Sequence, residues 1–339
     1  MHGYNSELNN DEYIKQLIFL GVCIIPMIII YFIDYRKFVV PAYILYGISI
    51  IALIGVLFTE AKYGATSWFD LKIFSYQPSE FMKIAYIICI SKVLSDFDHI
   101  SNLIKNQIHK YIYIAVLFIL PFGLILLQPD FGTAIVYFII ITFILFANKI
   151  KYRYILIAIL LIAIIIPIVY FFGFDEYQKQ RIDVFLNPEL DPLDTGYNAI
   201  QAEIAVGSGM LFGTGYLQGV QTQLGYLPVK SSDFIFGVLS EELGFIISST
   251  VVILFVILLI RIIKISVETT DTFAKYIVIG IAGMMFFHFV QNIGMSLGLL
   301  PITGLPLPFV SYGGSSLITN LIAIAIVLNI SARKSELFA

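Results

Sequence analysis

FIFGVLSEELGFIISSTVVILFVILLIRI, residues 234–262, reads as a helix that lies in lipid. From Phe245 to Ile260 no residue is charged, and aliphatic side chains dominate. A spanning helix needs about 20 mostly apolar residues, and this stretch exceeds that. Working outward along the chain, further runs lie at 15–33, 38–58, 79–95, 111–127, 131–147, 153–173, 274–298 and 309–331. The expectation is an all-α integral membrane protein of about nine transmembrane helices, a single membrane domain over 1–339. Composition agrees: of 339 residues 59% are hydrophobic and only 13% charged, where a soluble domain carries about a quarter charged. The net charge of −3 argues against nucleic acid as a partner.

Lys and Arg gather on the cytoplasmic side of short loops. Arg36 and Lys37, Lys105 and Lys110, Lys149, Lys151 and Arg153, Arg261, Lys264 and Lys275, and Arg333 with Lys334 all fall between or after alternate runs. That pattern puts the N-terminus outside and the C-terminus inside. Residues 1–11 are polar and expected to be loose, with no removable signal peptide. Segments 59–78, 174–232 and 299–308 then face the exterior. The long loop 174–232, between the sixth and seventh runs, is rich in aromatic and aliphatic residues. It is expected to lie on or dip into the outer membrane surface, with a short helix over 199–206 that places Ile200 and Ile204 on one face. Cys23 and Cys89 sit in apolar runs, as buried small side chains do.

Ionisable groups inside a span cost at least about 2.5–3.5 kcal/mol each, so they call for pairing or function. Glu80 and Lys83 stand at i, i+3 on one helix face, a buried ion pair or a charged cavity wall. Asp130, after Gln128 and Pro129, is placed to cap the next helix. Of Glu241 and Glu242, at least one should face the protein interior beside a cation or water. His288, Gln291 and Asn292 suggest hydrogen bonds between helices. Ser311-Tyr312-Gly313-Gly314-Ser315-Ser316 suggests close packing and capping at the start of the last run. Gly207-Ser208-Gly209 and Gly213-Thr214-Gly215 suggest tight turns. Walker A, HExxH, CxxC and GxSxG are all absent from the sequence.

Five segments together resemble the SEDS family (shape, elongation, division and sporulation), whose members include RodA and FtsW. They are Gly64-Ala65-Thr66 with Trp68; Gln77-Pro78-Ser79-Glu80 with Lys83; Gln128-Pro129-Asp130-Phe131-Gly132-Thr133; the block Gly196 to Gly244; and Pro306-Leu307-Pro308-Phe309-Val310-Ser311-Tyr312-Gly313-Gly314-Ser315. Gly219-Val220-Gln221-Thr222-Gln223-Leu224 with Leu227-Pro228 is the more RodA-like part. The resemblance implies a glycosyltransferase that builds glycan strands from lipid II outside the bacterial cytoplasmic membrane during elongation. It also implies a class B penicillin-binding protein and other elongation-complex proteins as partners. The family's essential acid falls on Asp233. The family usually has ten spans, so the resemblance implies that the first is missing here, through a downstream start or a shortened chain. Ser67 stands where the family has a basic residue, Lys72 where it has Gly, and Val229-Lys230-Ser231-Ser232 where it has Glu-X-His-Thr.

For such chemistry a sugar hydroxyl needs a general base, and Asp233 at the mouth of the seventh run would serve; as residue type alone it is equally a helix cap. The leaving pyrophosphate needs positive charge. Lys83 and Arg181 are candidates, with Lys179 and Lys230 behind them, Glu80 orienting Lys83, and Glu241 or Glu242 balancing charge. Gln221 and Gln223 could bond sugar hydroxyls, with Ser311 a further substrate contact and Asp130 in support. A divalent cation, Mg or Mn, could bridge pyrophosphate and acids. A lipid II flippase and a non-catalytic scaffold are the competing readings.

Overall fold

The computed structural model describes residues 6–60, 66–70, 75–100, 107–148, 183–185, 187, 190–191, 195–227 and 229–334. It is almost wholly helical, with α1 (Ser6–Phe32), a 3-10 turn (Tyr35–Val39), α2 (Ala42–Val56), a two-stranded hairpin of β1 (Phe69–Asp70) and β2 (Ser75–Tyr76), α3 (Pro78–Ile100), α4 (Gln107–Leu126) and α5 (Phe131–Ala147). After the undescribed stretch come α6 (Thr195–Ser208), α7 (Val220–Gln223), α8 (Ile235–Glu268), α9 (Thr272–Ser296) and α10 (Gly314–Lys334). Every expected run but the sixth falls on a helix; 153–173 lies outside the described residues. Among the described residues five helical stretches are long and apolar enough to cross a membrane: Glu12–Phe32, His109–Leu126, Ile235–Glu268, Thr272–Ser296 and Gly314–Arg333. Ala42–Val56 and Phe131–Ala147 are shorter apolar helices. This is a multi-pass membrane protein.

The chain forms two compact units, each assembled from separated stretches. One holds 5–148, 255–288 and 308–339. Its centre is α3, where Met82, Tyr86, Ile87, Cys89, Ile90 and Leu94 are all fully buried. A helix buried nearly all round is an interior one; Glu80 and Lys83 lie within it, while Lys92 is half-buried and Asp96 exposed towards its end. On α1, α2 and α4, by contrast, Ile25, Ile29, Ile48, Ile51, Val116 and Ile119 are exposed, as side chains facing lipid are. Missing side chains let α9 approach its neighbours. A Cβ on Gly280 would meet Ile144 and Ile87 at 3.0 Å, and one on Gly283 would meet the Phe143 ring at 2.8 Å. Small residues serve this purpose at helix contacts in membranes.

The open carbonyls at the end of α1 are closed from α10. Asn329 Nδ2 donates to the carbonyls of Ile30 at 2.7 Å and Tyr31 at 2.8 Å, and to that of Ile33. Arg333 Nη2 donates to Phe32 O at 2.9 Å. A cation at a helix C-terminus also suits the helix dipole. The last run starts later than its hydropathy suggests. Phe309 has a positive φ of 66°, so 309–313 is a turn and α10 begins at Gly314.

The other unit comprises, among the described residues, those within 183–254 and 289–307. Ala202, Leu227 and Phe234 form its buried cluster, with Val238 and Ile302 against them. The helix expected over 199–206 is longer, 195–208, and its packed face carries Ala202 and Ala205. Ala202 and Ala205 are fully buried while Ile204 is 44% exposed. The small side chains face α8, where Gly237 comes within 3.8 Å of Ala202 O and 3.9 Å of Ala205 Cβ by its missing Cβ.

Candidate active site

The expected unbroken helix over 234–262 is in fact interrupted. Gly244 has φ 77° and ψ −179°, so α8 is two helices end to end. A break inside a span frees backbone groups that lipid cannot satisfy, and such breaks persist only where protein re-satisfies them. The segment 209–215 does so. Phe245 N donates to Met210 O at 2.8 Å and Ile246 N to Leu211 O at 3.3 Å. In the other direction Thr214 N donates to Glu241 O at 2.9 Å and Gly215 N to Glu242 O at 3.1 Å. The two backbones touch because glycine lines both. A Cβ on Gly209 would lie 1.8 Å from Ser240 O, one on Gly213 2.1 Å from Glu242 O, and one on Gly244 2.2 Å from Gly213 N. The two glycine triplets are therefore more than turn formers: Gly209 and Gly213 sit against the break.

Just before the break stand the two acids. Both are buried, Glu241 at 1% exposure, so both face the protein interior as expected of at least one. The Glu241 carboxylate accepts from Gln221 N at 2.8 Å, Thr222 N at 3.0 Å and Thr222 Oγ1 at 2.6 Å. It thus takes the place of an N-cap side chain for α7, whose own N-cap residue is Gly219. Glu242 Oε1 accepts from Gln223 Nε2 at 3.3 Å. Lys230 Nζ donates to Thr222 O at 3.0 Å, at the other end of the same turn. Among the described residues of this unit Lys230 is the one Lys or Arg.

Asp233 lies two residues before the first residue of α8, and Ser232 Oγ donates to its Oδ1 at 2.9 Å. Its main chain is held from α9. Asn292 Nδ2 donates to Asp233 O at 2.8 Å and to Leu305 O at 2.8 Å. One amide thereby ties the start of α8 to segment 299–308, and Gln291 Nε2 adds a bond to Pro301 O at 2.7 Å. At Gly304, with φ 68°, a Cβ would stand 3.3 Å from Asp233 Oδ2. Gln291 and Asn292 therefore bond loop carbonyls, not other helices. Nothing in the residue types marked Asn292 for this role; the contact joins positions far apart in the chain.

The remaining predicted residues belong to the first unit described. Lys83 Nζ lies 2.7 Å from Glu80 Oε1 and 2.8 Å from His288 Nε2. All three side chains are buried, Lys83 at 1%. Lys83 thus has a carboxylate on its own helix and an imidazole on α9 within hydrogen-bond reach, the pairing that a buried ionisable group requires. His288 thus makes the helix-to-helix contact foreseen, to α3, and the Lys83 ammonium is committed inward. Asp130 caps α5, accepting from Thr133 N at 3.0 Å, and Gln77 Nε2 reaches its Oδ2 at 3.4 Å. Burial pushes the Asp130 carboxyl above the usual range, and the Thr133 N–H pulls it back. Ser311 is buried, its carbonyl accepting from Gln16 Nε2 at 3.2 Å, and Ser315 Oγ receives Gln77 N at 3.2 Å. Arg181 and Lys179, with Gly64, Ala65, Lys72 and Pro228, lie outside the described residues. Among the described residues no three of His, Cys, Asp and Glu gather as a metal site.

The comparisons with known proteins bear on this arrangement. The family model FTSW_RODA_SPOVE, described as cell cycle protein, matches residues 3–336. The chain belongs to the SEDS family. Within it this RodA-like chain is 39% identical, over 86% of its own length and 78% of the relative's, to the peptidoglycan glycosyltransferase MrdB of Escherichia coli K12. It is 32% identical to the peptidoglycan glycosyltransferase RodA of Treponema pallidum, covering 98% of this chain and 93% of that one. A solved structure described as structural coordination of polymerization and crosslinking by a peptidoglycan synthase complex superposes with a TM-score of 0.82. It is 28% identical, over 95% of this chain and 90% of that one.

Proposed function

We propose that this SEDS chain is a peptidoglycan glycosyltransferase that polymerises lipid II at the outer face of the bacterial cytoplasmic membrane. Asp233 is its general base. The observation that carries this reading is the clamp on that acid: Asn292 fixes the Asp233 backbone against 301–305 by two bonds of 2.8 Å. A base must be held close to the proton it removes, within about 2.6–3.2 Å. In the reaction a sugar hydroxyl oxygen bonds to the anomeric carbon, the bond from that carbon to the pyrophosphate oxygen breaks, and the hydroxyl proton passes to the Asp233 carboxylate. The anomeric centre inverts. The lipid pyrophosphate leaves, and Lys230 is the described cation nearest in sequence to the acid. Gln221 and Gln223, on the turn that Glu241 and Glu242 hold, are the side chains offered to sugar hydroxyls. Nine spans, an exterior N-terminus and a class B penicillin-binding protein as transpeptidase partner in cell elongation complete the proposal; the synthase-complex likeness supports the partner.

A lipid II flippase is the second reading, favoured by the buried Glu80–Lys83–His288 cluster, which offers charge inside the membrane domain. The test is polymerisation of labelled lipid II in liposomes by the chain with its cognate penicillin-binding protein. Glycan from wild type and none from Asp233→Asn, with the complex intact, supports the polymerase. Equal glycan from both removes Asp233 from the mechanism. Lipid II crossing the bilayer without glycan favours the flippase.

A further inference from the structure

We propose that Glu241 is a positioning residue for the same polymerase site: its carboxylate is the cap that fixes the exterior turn 219–223 to α8 and so sets where Gln221 and Gln223 meet the glycan. This rests on the function proposed above. Three donors of one turn converge on this one carboxylate, at 2.6 to 3.0 Å. The two main-chain donors, Gln221 N and Thr222 N, have no partner within α7, because the first N–H groups of a helix have none. A carboxylate also suits the positive end of the turn. The approach needs glycine on the other side: a Cβ on Gly219 would stand 2.6 Å from both Cδ and Oε2 of Glu241. Lys230 closes the opposite end of the turn through Thr222 O at 3.0 Å. The turn is thereby tied at one end to α8 and at the other to the segment that leads into Asp233. Gln221 and Gln223 flank Thr222, where both ties meet, and the Glu241 carboxylate is taken up by the turn itself.

Two substitutions attack the contact from its two sides, Glu241→Ala by removing the acceptor and Gly219→Ala by pushing it away. Glu241→Gln keeps one oxygen acceptor and should act as a partial rescue. The measurements are steady-state lipid II polymerisation by the complex with its penicillin-binding protein, and amide hydrogen exchange of 219–224. Removing a cap of this kind should speed exchange at Gln221 and Thr222 by about tenfold. KM for lipid II should rise about tenfold while kcat falls by less than about threefold, since the lost interaction is one of binding and not of the transition state alone. Gln at 241 should lie between. Loss of polymerase in proportion to lost folded protein, with KM unchanged in what remains, would overturn the proposal. So would unchanged exchange at Gln221 and Thr222 in Glu241→Ala. A wild-type chain that makes no glycan at all would instead overturn the function on which the role depends.

Discussion

Gly244→Ala should be among the most damaging single-methyl changes available in this protein. At φ 77° and ψ −179° the residue occupies a region essentially reserved for glycine, and forcing another residue there costs about 1–3 kcal/mol. The new methyl would also stand 2.2 Å from Gly213 N, 2.5 Å from Phe212 C and 2.7 Å from Leu211 O. These are main-chain atoms, so no rotamer change relieves the clash. The segment 209–215 must move away, and with it go the four cross-bonds of Thr214, Gly215, Phe245 and Ile246. At about 1 kcal/mol net for each hydrogen bond, the total loss comes to roughly 5 kcal/mol or more. Gly207→Ala is the control, because a Cβ there meets nothing within 4 Å. It sits in α6, where Ala should be better than Gly by about 0.5–1 kcal/mol. Cys23 and Cys89 are free and buried, so a thiol-reactive fluorophore reports unfolding of the purified protein in detergent without an introduced cysteine. Gly244→Ala should melt far below wild type and Gly207→Ala at or slightly above it. Equal melting of Gly244→Ala and wild type would refute the backbone exchange across the break.

Asn292→Ala should remove the donor to the Asp233 and Leu305 carbonyls, and kcat in lipid II polymerisation should fall by about 10- to 100-fold, as expected for a misplaced catalytic group; a variant with normal kcat would show that the clamp does not position the acid. Lys83→Met should destabilise by about 3–5 kcal/mol by leaving Glu80 buried without its cation. The double change Glu80→Leu with Lys83→Met should melt closer to wild type than Lys83→Met alone, and the reverse order would sink the account of a buried Glu80–Lys83 pair.

The residue pattern alone determined most of the architecture. Runs of apolar residues have to be helical in lipid, because only helices and closed barrels satisfy every backbone group there. The positions of α1, α3, α5 and α9 follow from that requirement, as do the capping of α5 by Asp130 and the i, i+3 pairing of Glu80 with Lys83, which need only local geometry. The five segments that carry the SEDS resemblance also marked Asp233. What hydropathy could not show was the break at Gly244, since a run of apolar residues looks the same whether or not it is continuous. The partners of Glu241, Asn292 and His288 were equally hidden. Each lies between about 10 and 200 positions away in the chain, and sequence periodicity reaches only a few residues along one helix face. Those contacts belong to the tertiary structure, because a buried polar group takes whichever donor or acceptor the packing brings to it.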